Sequence, residues 1–166
     1  MISVYTVMLF AGAVSAALVA GIFYAFSSFV MPALGRVPDE QGRGAMNAIN
    51  VAVYTPSFMI LFIGTALLSA VLAVWSLFSI ENLASQLVLV GSLLYIVGCF
   101  GVTIAFNVPL NRRLAEADAG SGDALWRRFL REWTIWNTVR TIAAGLGSAL
   151  FILALVLGYG RATAIM

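Results

Sequence analysis

Histidine and lysine are both missing from the 166 residues, and cysteine occurs once. Without histidine the chain lacks the commonest imidazole ligand for haem, zinc or non-haem iron, and the commonest general base at neutral pH. The lone Cys99 rules out a disulfide within one chain. Charged residues make up only 10%, and the acids are scattered through the connections, so no metal-ligand cluster is expected. Neither a Ser-His-Asp set nor a phosphate-binding loop is present, because the glycines lie in apolar runs without the strand-to-helix context such loops need. The net charge of +2, all from arginine against Asp and Glu, gives no reason to expect a nucleic-acid partner.

What remains is apolar. Hydrophobic residues make up 62% and the mean hydropathy is +1.01, against about half apolar and a quarter charged in soluble domains. The chain therefore reads as all-α and integral to a membrane. At roughly 20–25 residues per span, it holds four helices as one transmembrane domain over residues 1–166, with no room for a separate soluble module. The spans are predicted at about 3–31, 51–80, 84–106 and 136–159. The first carries no charge and exceeds the h-region of a signal peptide. Pro32 ends or kinks it, and Asn107-Val-Pro109-Leu-Asn111 ends the third. Gly120-Ser-Gly-Asp123 predicts a turn in which Ser121 or Asp123 caps the next helix. Beyond it, Leu125, Trp126, Phe129, Leu130, Trp133 and Trp136 share one helical face. This predicts a four-helix bundle with a short amphipathic interfacial helix that runs on into the last span.

Small residues recur every four positions in two rows, Ala13-Ala17-Gly21-Ala25 and Gly12-Ala16-Ala20. Ala143-Gly147 and Ala144-Ser148 do the same in span four. Such rows let helices approach closely, inside the bundle or in a homo-oligomer. Eight of the nine arginines lie in or beside the first and third connections. The positive-inside rule places those connections in the cytoplasm and both termini on the far side. The two halves also match in outline, Val30-Met-Pro32 answering Asn107-Val-Pro109, as a parallel duplication of a hairpin would produce.

Polar residues collect at the end of the bundle that bears these connections. Asn47 and Asn50 stand at i, i+3, and Tyr54 continues their row. Asn107 and Asn111 are at i, i+4, while Trp133, Asn137 and Arg140 are at i, i+4, i+7, so each set can share a face. An arginine inside a span points to a functional site. Two plainer readings stand beside that one. Trp and Tyr anchor helices at interfaces and arginine snorkels, and the amides with Arg140 form an interhelical clamp.

Taken in order, Gly21-Ile-Phe-Tyr24-Ala-Phe-Ser27, Met46-Asn-Ala-Ile-Asn50, Asn107-Val-Pro109-Leu-Asn111 and Trp133-Thr-Ile-Trp136-Asn137-Thr-Val-Arg140 resemble the anthrone oxygenase family. These are small four-helix membrane proteins, many of them bacterial, which implies an inner-membrane location. The resemblance implies a cofactor-independent oxygenase that converts an anthrone to an anthraquinone with O2. It casts Arg140, Asn137, Asn107 and Asn111 as catalytic donors to the developing oxyanion. Tyr24, Asn47, Asn50, Tyr54, Trp133 and Trp136 would bind a small apolar aromatic. No cofactor and no metal is implied. For the base, the sequence offers Tyr24, Glu132 or water without a spacing argument for any. The alternative is a non-catalytic protein in which the same cluster holds a lipid, a quinone-like ligand or a partner helix. Without an intramembrane acid, a transporter role has no evident proton or cation path.

Overall fold

The structure is a computed structural model that describes residues 3–117 and 122–163. Among these, four helices are long and apolar enough to cross a membrane. Helix α1 runs over Val4–Leu34, its first turn capped by Ser3 Oγ, which accepts from Thr6 N at 3.1 Å. Helix α2, Asp39–Ala52, is amphipathic and separate from the spans. Helices α3, Pro56–Leu77, and α4, Leu83–Ala115, form a tight hairpin. Helix α5 is continuous over Gly122–Thr163, 42 residues. At 1.5 Å per residue it is ~63 Å long, twice the ~30 Å hydrocarbon thickness. Its amphipathic first half therefore stands beyond the span it leads into.

The element boundaries differ from the sequence expectation in three places, each for a local reason. The second span starts at Pro56 and not at Val51, which belongs to α2. Between them Val53–Thr55 leaves the helix, and a new one starts with Thr55 as cap and Pro56 in its first turn, where the missing N–H costs nothing. Pro32 does not end α1, and the third span continues past Pro109 to Ala115. In both, a π-helical turn lies just ahead of the proline, over Phe26–Val30 and Thr103–Asn107. The wider turn takes up the ring that would otherwise strike the carbonyl four residues back. Of the turn expected at Gly120–Asp123, Gly120 and Ser121 lie outside the described residues, and Gly122 and Asp123 already belong to α5.

Three apolar layers stack along the bundle. Leu9, Leu72, Val88 and Phe151 form the one nearest the termini. Val19, Phe23, Phe62, Tyr95 and Cys99 form the middle one. Met31, Met46, Leu114, Trp126, Phe129 and Trp133 form a third, roofed by α2. Outside these layers the surface is also apolar, with Phe10, Leu18, Ile60, Leu67, Val97, Ile142 and Val156 exposed. A surface of that kind is stable against lipid and not against water.

Small residues set the closest crossings. A Cβ on Gly91 would stand 3.0 Å from Gly147 O, and one on Gly98 would stand 2.6 Å from Ala143 Cβ, so α4 and α5 touch nearly backbone to backbone. Gly12, Ala13, Ala16 and Ala20 are buried on α1, whereas Ala17 and Gly21 face outward. The packed face thus mixes the two predicted rows, as a 3.6-residue period requires. Polar cross-links reinforce these contacts: Ser148 Oγ donates to Ala13 O at 2.8 Å and Tyr95 OH to Phe62 O at 3.1 Å.

Candidate functional site

Between the middle layer and the roofed one lies a cavity of about 200 Å³, lined by residues from every helix. Its apolar lining includes Ile22, Phe23 and Phe26 of α1, Met46 of α2, Phe58 and Phe62 of α3, and Phe100 of α4. Asn50, Tyr54, Thr103, Asn107, Asn111, Trp133 and Arg140 bring the polar atoms. The lining extends to Tyr54, Ile63 and Ile104, which are themselves exposed, so one side opens toward the surface that faces lipid.

Arg140 is the charge in this space. It is 4% exposed, midway along α5. Its Nη1 donates to Thr103 Oγ1 at 3.1 Å, and its Nη2 donates to Asn137 Oδ1 at 2.6 Å. The guanidinium carbon lies 4.0 Å from the centre of the Phe23 ring and 5.2 Å from that of Trp133, a cation held between π faces. Asn137 in turn donates from Nδ2 to Phe23 O at 2.7 Å and to Ser27 Oγ at 2.6 Å, which ties α5 to the π turn of α1. These bonds fix the amide orientation, since only the nitrogen can donate to the carbonyl. A clamp across α1, α4 and α5 therefore exists, and it is made wholly of neutral partners around one cation.

Several buried polar atoms on the lining have no hydrogen-bond partner: Arg140 Nε, Trp133 Nε1, Asn107 Oδ1, Asn111 Oδ1 and Asn50 Nδ2. Buried polar groups are nearly always paired, and here five unpaired atoms belong to residues of α2, α4 and α5 that line the same cavity. Asn107 is oriented by its donation from Nδ2 to Trp133 O at 3.2 Å, which leaves its oxygen free.

The structure brings together Asn50, Tyr54, Asn107, Asn111, Trp133 and Arg140 around the cavity, with Asn137 directly behind Arg140. It does not bring Tyr24, Trp136 or Asn47 to the lining. Tyr24 is 63% exposed, and its neighbour Phe23, one position earlier, takes the inward place. Trp136 stacks on Phe106, centroids 3.7 Å apart, outside the cavity. Of the base candidates, Glu132 is engaged by Arg128 at 2.7 Å, and with Tyr24 it lies off the lining. Sequence reasoning missed Phe23, Phe58, Phe62, Phe100 and Thr103. The aromatics carry no polar signal, and Thr103 resembles any span threonine until Arg140 is seen to reach it. Among the described residues, no three His, Cys, Asp or Glu side chains come together as a metal site.

Comparisons with curated proteins and with solved structures match nothing. The family model described as anthrone oxygenase matches residues 58–150. That span holds α3, α4 and α5 as far as Leu150, including Asn107, Asn111, Trp133, Asn137 and Arg140. It is more than half of the chain, and the protein belongs to the anthrone oxygenase family.

Proposed function

We propose that this protein is a membrane-embedded, cofactor-independent oxygenase that oxidises a small apolar aromatic of the anthrone type with O2. The observation that supports this most is the aromatic-lined cavity with a buried guanidinium on its wall. A C–H flanked by two rings and conjugated to a carbonyl loses its proton readily and leaves an electron-rich anion. That anion passes an electron to O2; one oxygen atom ends on the ring carbon as a carbonyl and the other leaves as water. The protein contributes a phase into which O2 and a flat aromatic both partition, together with Arg140, Trp133 and the amides as preorganised donors to the oxyanion.

The volume bears on how the substrate sits. A cavity of about 150 Å³ takes benzene, so about 200 Å³ encloses one or two rings. The rest of a tricyclic molecule extends through the side at Tyr54, Ile63 and Ile104, which suits delivery from the bilayer. Purified protein in nanodiscs, given an anthrone under air, is expected to consume O2 and form the anthraquinone, and Arg140→Ala is expected to lose most of that rate. No turnover on a panel of anthrones would defeat the proposal.

A second reading is supported by a specific observation: the ionisable side chains on the lining are Tyr54 and Arg140, and neither is a ready base. In that reading the cavity binds a quinone-like molecule or lipid without reacting. A ligand that co-purifies in the cavity, with no O2 uptake, would favour it.

A further inference from the structure

We infer that the cavity holds its ligand as an oxygen anion, a phenolate, enolate or carboxylate set against Arg140, and that the ligand's own ionisation stands in for a protein base. The inference rests on the cavity being the ligand site, as proposed above, and deepens that reading by naming the ligand's chemical state. Its first support is a charge imbalance. Arg140 is 4% exposed and meets only neutral groups, Thr103 and Asn137 by hydrogen bond and Phe23 and Trp133 by their rings. The ion pairs among the described residues, Arg127 with Asp39 and Arg128 with Glu132, involve none of the cavity residues. A cation buried in a bilayer without a counter-charge is among the costliest arrangements a fold can hold. It persists where something else brings the negative charge.

The second support is independent. Arg140 Nε and Trp133 Nε1 are buried donors on the lining with no acceptor. Asn107 Oδ1, whose direction is fixed by the bond to Trp133 O, is an acceptor without a donor. The complement of this wall is a planar molecule with an ionised oxygen toward Arg140 and Trp133 and a hydroxyl or N–H toward Asn107. With a phenol or carbon-acid ligand, binding then releases a proton to bulk water, because the ligand's O–H, or its acidic C–H in the enolate case, breaks and the electron pair stays on the ligand; a carboxylate enters already ionised and releases none.

Titratable groups near Arg140 must be separated from the ligand. Helix α1 brings none to the lining, the α2–α3 break brings Tyr54, α4 brings Cys99 and Tyr95 in the adjoining layer, and α5 brings none besides Arg140 itself. A suitable probe is 2-hydroxyanthraquinone, whose absorbance shifts on ionisation and whose reacting position is already a carbonyl, so that it reports binding without turnover. In nanodiscs carrying the full chain, its apparent pKa is expected to fall by at least one unit relative to empty nanodiscs, a tenfold preference for the anion. Cys99→Ala, which alters a thiol in the adjoining layer and not on the lining, should keep the shift. Arg140→Gln should lose it while still binding the neutral dye. Should Arg140→Gln not fold, proton release on binding to the unaltered protein decides, with about half a proton per dye expected for a one-unit shift, and more for a larger one, at a pH midway between the bound and free values. An unchanged or raised pKa, a shift that survives Arg140→Gln, or no proton release would overturn the inference.

Anthracene-2-carboxylate distinguishes the sources of the anion. If it displaces the dye at least tenfold better than the carboxamide, the site accepts any flat oxyanion. If it does not, while the shift persists, the site is restricted to phenol and enol anions. The two proposals separate cleanly: anthrone turnover without a pKa shift sinks only this one, and a shift without turnover sinks only the oxygenase.

Discussion

Replacing Arg140 by methionine tells a structural clamp apart from a cation kept for a ligand. The substitution gives up the bonds to Thr103 Oγ1 at 3.1 Å and Asn137 Oδ1 at 2.6 Å. In water-soluble proteins hydrogen bonds to charged groups are worth about 1.5–3 kcal/mol each, although polar contacts between membrane helices average about 0.6 kcal/mol. On the other side, methionine removes a cation that is 4% exposed with no carboxylate beside it, a desolvation of several kcal/mol. Its thioether also packs well against the Phe23 and Trp133 rings. The opposing effects are of one size, so Arg140→Met is expected within about 1 kcal/mol of the unaltered protein, whereas removing one partner from a true buried ion pair costs about 3–5 kcal/mol.

Asn137→Ala should behave in the opposite way. It takes the donor from Phe23 O and Ser27 Oγ and leaves Arg140 with one partner fewer, at a cost of about 2–4 kcal/mol. In the Arg140→Met background the same change should cost only about 1 kcal/mol, because no charge is left exposed to the loss. Reversible unfolding in mixed micelles, followed by the fluorescence of the four tryptophans, measures all three variants. A loss of 3 kcal/mol or more from Arg140→Met would refute the reasoning, since the arginine would then be holding the bundle together.

Gly42→Ala should destabilise the docking of α2 by about 1–3 kcal/mol, because the new Cβ would stand 2.6 Å from Leu34 O and 2.8 Å from Trp126 Cζ2, while Gly44→Ala, with nothing within 4 Å, should stay within about 0.5 kcal/mol; equal melting of the two would show that α2 is not seated as described. Trp133→Phe keeps a ring between Phe26 and Phe129, whose centroids stand 5.7 and 6.1 Å away in the unaltered protein, and removes the unpartnered Nε1–H together with part of the indole's volume from a buried position. It should weaken ligand binding about tenfold at a cost of about 1–2 kcal/mol in stability, and a dye-binding isotherm that does not move would remove Trp133 from the site. We propose from the arginine distribution that both termini lie outside the cytoplasm. An alkaline phosphatase fusion at the C-terminus should be active and a green fluorescent protein fusion dark, and the reverse pattern would overturn the orientation.

The number of spans was legible because length and apolarity suffice to count them. What periodicity could say about faces depended on the regularity of each helix. Trp133, Asn137 and Arg140 lie in an uninterrupted stretch of α5, and the i, i+4, i+7 spacing places all three inward, as burial shows. Asn107 closes the last π turn of α4 and Asn111 follows it, and both reach the cavity. Tyr24 was singled out for its chemistry and Trp136 was counted on the face of Trp126, Phe129 and Trp133, and each stands about 100° round the helix from an inward neighbour, Phe23 or Asn137. The π turns were not legible, since a widened turn has no residue signature beyond the proline that follows it. The Thr55-Pro56 pair, by contrast, is a helix-start signal. The expected start at Val51 reflects the apolar Val51 to Val53, which look like the beginning of a span.

That boundary also bears on where the cavity lies. Each half of the bundle has a long span with a π turn before a proline, followed by an amphipathic helix and a second span. In the second half the amphipathic helix and the span are one rod, and the rod keeps Trp133, Asn137 and Arg140 in a single row. In the first half the rod is broken at Val53–Thr55. The break puts Tyr54 and Asn50 on the cavity wall with Phe58 of the helix that restarts below. A continuous helix there would carry its side chains along the bundle as α5 does, with no interruption to open a space. The unbroken half thus places the charge, and the broken half opens beside it the space that we propose as the ligand site.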